Sequence, residues 1–300
     1  MKVGIIGLGD IAQKAYLPLI TQRQDLELYF CTRTESTLKQ LGAKYKVDRL
    51  FNSIDELIKE DLDAAFVHAA TEAHYILVKK LLEKGINTFV DKPITYHLQK
   101  TKELIQLAQS KDLILMTGFN RRYVPTYTPL FEIDSPKTII MEKNRTYQPG
   151  AIRSFILDDF IHVIDTIVYL MGRDTLNLEQ IDFKKVERKN KLLQVNLMLR
   201  DGENTALGIM NRDNPITEES LEVIALNKKK KIKNITQIID YDNEQEKYSQ
   251  TASWNKMGYN RGFVDLIDEF LIRVKNGQNK AKEVNFDLLT HQIAEKIITK

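Results

Sequence analysis

Short apolar strands alternate with amphipathic helices over the first 120 residues, and that alternation leaves few folds open. Residues 2–6 read as a strand and 11–22 as a helix, then 26–31 as a strand and 35–45 as a helix. Leu50 and Phe51 form a short extended piece, followed by a short helix over 54–59. Residues 64–69 read as a strand. The helix over 72–84 clusters Ile76, Leu77, Val78, Leu81 and Leu82 on one face. A strand over 87–90, a helix over 98–110 and a strand over 113–117 complete the series. Strands this short and this apolar need cover on both faces, so they form a parallel sheet. Right-handed crossovers then make it a doubly wound α/β sheet of Rossmann type.

Three hundred residues are more than one core usually serves, so two domains are expected, with the boundary where the pattern changes, at 119/120. Beyond it, strand-like runs at 139–144, 181–186, 192–199, 206–210, 221–226 and 235–241 are separated by hairpin-length gaps. The exception is one long apolar helix over 155–170 that stops at Gly172. The expected second domain, 120–300, is therefore α+β with an open, mainly antiparallel sheet. Helices over 263–274 and 286–298 follow, the last a candidate to pack back on the first domain. The basic run Lys228–Lys231 reads as a solvated hairpin. One face of an open sheet lacks helical cover. Its Ile, Leu and Val content suggests burial against a second copy, so a homo-oligomer, dimer or tetramer, is expected.

A formal charge of +3, not gathered into one face or motif, excludes a nucleic-acid partner. Cys31 is the only cysteine, which rules out an internal disulfide and a thiolate zinc site. No apolar stretch approaches the ~20 residues that span a bilayer, and the chain opens directly on a strand. The expectation is a soluble cytoplasmic protein with no membrane partner.

Gly7-Leu8-Gly9-Asp10-Ile11-Ala12 has the form G-x-G-x-x-A and joins the first strand to the first helix, the setting in which such a loop binds a dinucleotide. Gly7 permits the tight turn, Gly9 lets the backbone approach a pyrophosphate, and Ala12 allows close helix–strand packing. The helix N-terminus then faces the phosphate charge. The second strand ends in Thr32, Arg33 and Thr34, where an NAD site usually offers a carboxylate to the ribose. Hydroxyls and a guanidinium suit a 2′-phosphate, which favours NADP(H) over NAD(H); Glu35 keeps NAD(H) open. Lys92 follows an apolar strand in Val90-Asp91-Lys92-Pro93, at the carboxyl edge where ligands bind in open α/β sheets. An ammonium there suits proton-transfer chemistry beside a nicotinamide, and the bland alternative is a strand-end lysine in water.

The helix over 155–170 carries Asp158, Asp159, His162 and Asp165. At i, i+4 and i+7, Asp158, His162 and Asp165 share one face. A carboxylate that orients an imidazole makes an acid/base near neutral pH; a buried histidine satisfied by Asp158 or Asp165 is the alternative. Asp159 points elsewhere and reads as an N-terminal charge favoured by the helix dipole. Two carboxylates and one histidine lack a fourth ligand, so no metal is expected.

Together these residues resemble the glucose–fructose oxidoreductase, inositol dehydrogenase and rhizopine-catabolism family (Gfo/Idh/MocA). The likeness rests on the glycine loop, on Asp91-Lys92-Pro93 in place of Glu-Lys-Pro, and on Asp158-x-x-x-His162-x-x-Asp165. Val67-His68-Ala69-Ala70-Thr71 and Gly118-Phe119-Asn120-Arg121-Arg122-Tyr123 look most like a bacterial subgroup labelled virulence factors. The resemblance implies hydride transfer between nicotinamide C4 and a hydroxyl-bearing carbon of a sugar or cyclitol. Lys92 would hydrogen-bond the reacting oxygen, with its pKa lowered by desolvation beside the nicotinamide. Asp158 would position the substrate, and His162 would be the acid/base. Cofactor contacts would fall on Gly7, Gly9, Asp10, Ile11, Ala12, Thr32, Arg33, Thr34, Ala69, Ala70, Thr71, His74, Asp91 and Lys92. Substrate contacts would fall on Asn120, Arg121, Arg153, Asp158 and His162. The chain departs from the family at Ala69-Ala70, where Thr-Pro is frequent, and at Ala151–Phe155, where the approach is usually glycine-rich. Arg121, Arg122, Lys143 and Arg153 would make the substrate side cationic, which points to a phosphorylated or carboxylated sugar. The rival reading is a non-catalytic, nucleotide-sensing regulatory protein on the same fold; Lys92, Asp158 and His162 occurring together favour the enzyme.

Overall fold

The structure, a computed structural model, describes residues 1–300 apart from 243, 253–256 and 279–280. It divides into two compact units, Met1–Gly118 with Phe263–Val284, and Phe119–Gly262 with Asn285–Lys300.

The first unit is built on six parallel strands: β1 (Lys2–Ile6), β2 (Glu27–Cys31), β3 (Arg49–Phe51), β4 (Ala64–Val67), β5 (Asn87–Val90) and β6 (Leu115–Thr117). Their order is β3-β2-β1-β4-β5-β6. The direction of winding reverses between β1 and β4, which opens a crevice at the carboxyl ends of those two strands. All four residues of β4 are buried, as a strand covered on both faces requires. The Thr71–Glu83 helix buries Val78, Leu81 and Leu82, and the Leu98–Ser110 helix buries Leu104, Ile105 and Ala108. The helix Phe263–Asn276 belongs to this unit, its Phe270 packed edge-on to Phe66 at 4.9 Å between ring centroids. The first helix is not the regular one expected over 11–22. A π-helical turn, Ala12–Tyr16, runs into a short α-helix, Leu17–Ile20. Pro18 has no N–H to return to the carbonyl four residues back, so the ladder changes register there.

The second unit carries eight strands: β7 (Lys137–Asn144), β8 (Asp182–Arg188), β9 (Lys191–Asp201), β10 (Asn204–Asn211), β11 (Glu218–Ala225), β12 (Lys228–Lys233), β13 (Gln237–Asp242) and β14 (Gln245–Gln250). They lie in the order β14-β13-β12-β11-β7-β10-β9-β8. Among the described pairings only β7 with β10 is parallel. Burial alternates residue by residue along β10 and along β7 as far as Lys143, so one face is core. The helix Ile161–Met171 covers that face so closely that a Cβ on Gly208 would stand 2.9 Å from Val163 Cγ1.

Lys228–Lys231 does lie in a hairpin, paired antiparallel with β11 across residues 226 and 227, but three of its four lysines are ion-paired and not simply solvated. It opens β12, because each lysine of its centre finds a carboxylate on a neighbouring strand. Lys229 and Lys231 pair with Glu222 on β11 at 2.9 and 3.2 Å, and Lys230 pairs with Asp240 on β13 at 3.0 Å. Cross-strand pairs of this kind make a basic run tolerable in a sheet. The long helix also departs from expectation. A π-helical segment, Phe155–Phe160, precedes the regular helix, which ends at Gly172 with φ +70°. Bonds from i to i+5 wind more than four residues per turn, which still leaves residues four apart, such as Asp158 and His162, on neighbouring sides of the helix.

Candidate functional site

In the first unit a pocket of about 510 Å³ opens at the carboxyl ends of β1, β2 and β4, with Gly7, Gly9, Thr32, Arg33, His68 and Ala70 in its lining. Gly7 has φ +85°, and a Cβ there would lie 2.5 Å from Ala69 N, so only glycine fits between the two strand ends. A Cβ on Gly9 would meet nothing within 4 Å, so its backbone faces open space. A backbone that bulky groups can approach closely, at the start of a helical run, is what a pyrophosphate needs. The residues therefore fit a dinucleotide. Asp10 is exposed and pairs with Lys14 at 2.7 Å, Ile11 is an exposed apolar residue, and Ala12 is fully buried under the turn. Thr34 is exposed at the entry to the next helix, and Glu35 is drawn along that helix to Lys39 at 2.6 Å.

Asp91 sits just past β5, half-buried, with both carboxylate oxygens engaged. Oδ1 accepts from the Tyr16 hydroxyl at 2.8 Å, and Oδ2 lies 3.0 Å from His68 Nδ1. A carboxylate only accepts, so His68 carries its proton on Nδ1. Its ring stacks on Tyr16 at 3.9 Å, and Nε2 is buried among aromatic rings with no hydrogen-bond partner among the described residues. Burial, followed by the Asp91 charge, raises Tyr16 well above the usual phenol range, so it remains a donor. A Cβ on Gly118 would come within 2.9 Å of Asp91 Oδ1. The half-buried Lys92 thus follows a residue held from three directions, and its peptide to Pro93 is cis. His74, expected among the cofactor contacts, instead has its ring nitrogens 3.0 Å from Pro93 O and 2.9 Å from Ala69 O. It ties the β4 and β5 ends together and offers no ring nitrogen to the pocket. Thr71 opens the helix that carries it, and Ala70 is that helix's N-cap.

In the second unit the expected substrate residues are tied into ion pairs. Arg121 forks onto Glu219 at 2.8 and 3.3 Å, and Asn120 accepts from Arg121 Nη1 and donates to the Arg261 carbonyl. Arg122 lies between Asp165 and Asp287 at 2.5 and 2.7 Å, with Phe119 and Tyr169 each 4.9 Å away. Burial pushes Asp165 up to about 6 against the pull of Arg122. Arg153 is clamped by Glu295 at 2.8 and 3.0 Å, so its charge is spent on the final helix. Asp159 is not a helix-end charge: it is buried and takes Lys143 at 2.7 Å and Arg145 at 2.8 and 2.9 Å. Burial works to raise Asp159, but those two cations hold it well below the usual carboxylate range. Asp158 is half-buried on the π-helical segment, and His162 is buried one turn further on.

Comparison with known proteins adds the family. Residues 1–119 match the Gfo/Idh/MocA oxidoreductase family, NAD-binding Rossmann fold, and residues 125–246 match the YceM-like C-terminal domain. A Gfo/Idh/MocA family oxidoreductase from Vibrio cholerae superposes with a TM-score of 0.94 at 32% identity, covering 99% of this chain and 97% of that one. The chain belongs to the Gfo/Idh/MocA oxidoreductase family. The protein YceM of Salmonella typhimurium is 36% identical over 179 residues, 57% of each chain. Myo-inositol 2-dehydrogenase of Thermotoga maritima is 28% identical over 187 residues, 58% of this chain and 56% of that one. The chain thus spans little more than half the length of these two curated relatives. The second half is matched as YceM-like, and a virulence-factor subgroup is not what the matches name.

Sequence reasoning missed Tyr16, His68, Arg145, Glu219 and Arg261. Only His68 had a local signal, its place at the end of a buried strand beside Ala69. The others acquire their roles through partners 14 to 141 residues away.

Proposed function

We propose that the protein is an NAD(P)-dependent oxidoreductase that moves a hydride between the nicotinamide and a hydroxyl-bearing carbon of a sugar- or cyclitol-like substrate. The observation that carries this is the lysine following a doubly anchored Asp91, at the same strand edge as a glycine-turn pocket shaped for a dinucleotide. When bound, the cofactor supplies or accepts the hydride. The protein's part is to manage charge on the reacting oxygen. Lys92 hydrogen-bonds that oxygen and stabilises it as alkoxide character develops. His162 gives or takes the proton, and Asp158 orients the substrate and the imidazole. The inositol dehydrogenase among the relatives supports a polyol-like substrate.

Turnover of a sugar and polyol panel, followed by nicotinamide fluorescence, tests the reading. Lys92→Ala is expected to lower kcat about 10²–10⁴-fold with cofactor affinity kept. Cofactor binding without turnover on any substrate, in the parent protein, sinks the enzyme and leaves the sensor. NADP(H) is the proposed cofactor, because Thr32 and Arg33 line the pocket while Glu35 is engaged by Lys39. Arg33→Ala should weaken NADPH binding about tenfold and leave NADH binding unchanged; equal losses for both would refute the preference. A homo-oligomer through the open sheet face belongs to the same proposal. Ile224, Leu226 and Tyr248 are exposed on its strands and the turn beside them, and a monomer by sedimentation at micromolar concentration would contradict it.

A further inference from the structure

A second pocket, of about 270 Å³, lies wholly within the second unit, and its lining includes Arg121, Lys143, Arg145, Arg261, Glu218 and Glu219. Four cations and only two carboxylates face one small space. Glu219 is used up by Arg121 and by the Tyr127 hydroxyl at 2.9 Å, and Glu218 accepts from Asn144 at 3.1 Å. Behind the lining, Asp159 is shared between Lys143 and Arg145. With Lys143 protonated, counting Asp159 with the two glutamates still leaves the cluster one positive charge in surplus. Arg261 stands exposed at the rim, and among the described residues no carboxylate forms an ion pair with it.

We propose that this pocket holds the phosphate or carboxylate group of a sugar-like substrate, with Arg261 as the residue that meets it from the rim. The inference rests on the oxidoreductase reading for the sugar part and on the pocket alone for the anion. Its physical basis is charge that the fold leaves uncompensated. Guanidinium groups grip a planar or tetrahedral oxyanion through paired N–H donors, and a partly enclosed site screens that attraction less than bulk water does. The same surplus shows on the buried Lys143. Burial first, then the charge of Arg121, pushes it down to about 7 although Asp159 and Glu219 pull the other way and Arg145 adds to the push. An incoming anion relieves that repulsion, so Lys143 takes up a proton as the anion binds.

Calorimetric titration of the NADPH-loaded full chain at pH 7.5 tests this with glucose, glucose 6-phosphate, glucuronate and inorganic phosphate as probes. One or both anionic sugars should bind at least about tenfold more tightly than glucose. Arg261→Ala should remove most of that advantage while Arg261→Lys keeps part of it. Glucuronate is ionised throughout, so proton uptake with it, read from heats in buffers of different ionisation enthalpy, reports Lys143 and should vanish in Lys143→Met. Equal affinity for glucose and both anionic sugars overturns the proposal, as does an Arg261→Ala variant with unchanged preference. Inorganic phosphate binding as tightly as glucose 6-phosphate would reassign the pocket to a free anion and overturn the substrate assignment. In Lys92→Ala the preference should persist. If turnover is never seen yet the preference holds, the oxidoreductase reading fails and the anion pocket stands.

Discussion

The two units build their sites from different materials. In the first, the pocket is organised around a backbone feature, a glycine turn at the ends of parallel strands with small residues at 69 and 70. In the second, it is lined by charged side chains held by partners elsewhere in the chain, such as Arg121 with Glu219 in the lining and Lys143 with Asp159 behind it. A backbone-built site tolerates exchange of its neighbours but not the addition of a single carbon. A charge-built site has room for carbon but cannot lose one member without stranding the others. Buried pairs are weak evidence for stability as pairs, yet removing one partner is costly because an uncompensated charge stays behind.

Asp159 gives the sharpest test of that contrast. Asp159→Ala would strip Lys143 and Arg145 of the carboxylate they share, with Glu219 already taken by Arg121, and should cost about 3–5 kcal/mol in denaturant unfolding of the second unit. A loss below about 1 kcal/mol would mean that the cluster discharges through Lys143 and that its charges are not structural. Next in size is Gly7→Ala, where the added carbon meets Ala69 N at 2.5 Å and the backbone sits at φ +85°. At least ~2 kcal/mol should be lost from the first unit, and dinucleotide binding with it. Gly85→Ala is the control. Its φ is +81° but a Cβ there would touch nothing within 4 Å, so only the conformational cost of roughly 1 kcal/mol applies. Equal losses at both positions would show that the close approach to Ala69 is unimportant.

The same contrast explains what could be read from the sequence. The parallel sheet, the glycine turn and the position of Lys92 after β5 were legible, because period, turn chemistry and strand end are local properties of the chain. The Gfo/Idh/MocA resemblance was legible for the same reason, since its motifs are short and contiguous. The roles of Asp159, Arg153 and His74 were misread because each is decided by a partner that no local pattern announces: Lys143 and Arg145, Glu295, and the carbonyls of Ala69 and Pro93. The hairpin at Lys228–Lys231 was legible, but the ion pairing of its lysines was not, for a related reason. Four consecutive lysines look solvated until the carboxylates of β11 and β13 are set beside Lys229, Lys230 and Lys231. The π-helical turns were hidden because hydrophobic spacing alone does not say where a helix changes its hydrogen-bond register.

A comparably small expected effect comes from pH, and it belongs to the second unit. His291 is buried on the final helix, with Nδ1 2.7 Å from the Asp287 carbonyl. Burial, and then the nearby Arg122 charge, pushes it down to about 4 from the usual 6.5, against the help of that carbonyl. Between pH 6.5 and 4 the unfolded chain therefore binds a proton that the folded chain refuses, and stability falls as the solution is acidified through that window. Asp165 works in the opposite sense. Raised to about 6, it keeps a proton in the folded state that the unfolded chain has released, which adds stability as pH falls from 6 towards 3.8. The two contributions partly cancel in the parent protein, so the informative quantity is the difference from a variant that removes only one. His291→Gln keeps an N–H donor for the carbonyl and cannot titrate. Relative to the parent it should gain about 1–2 kcal/mol on going from pH 7 to pH 5, read by denaturant unfolding at the two values. A parent and variant that lose stability in parallel would place the acid sensitivity elsewhere, on carboxylates such as Glu219 that their cations hold low.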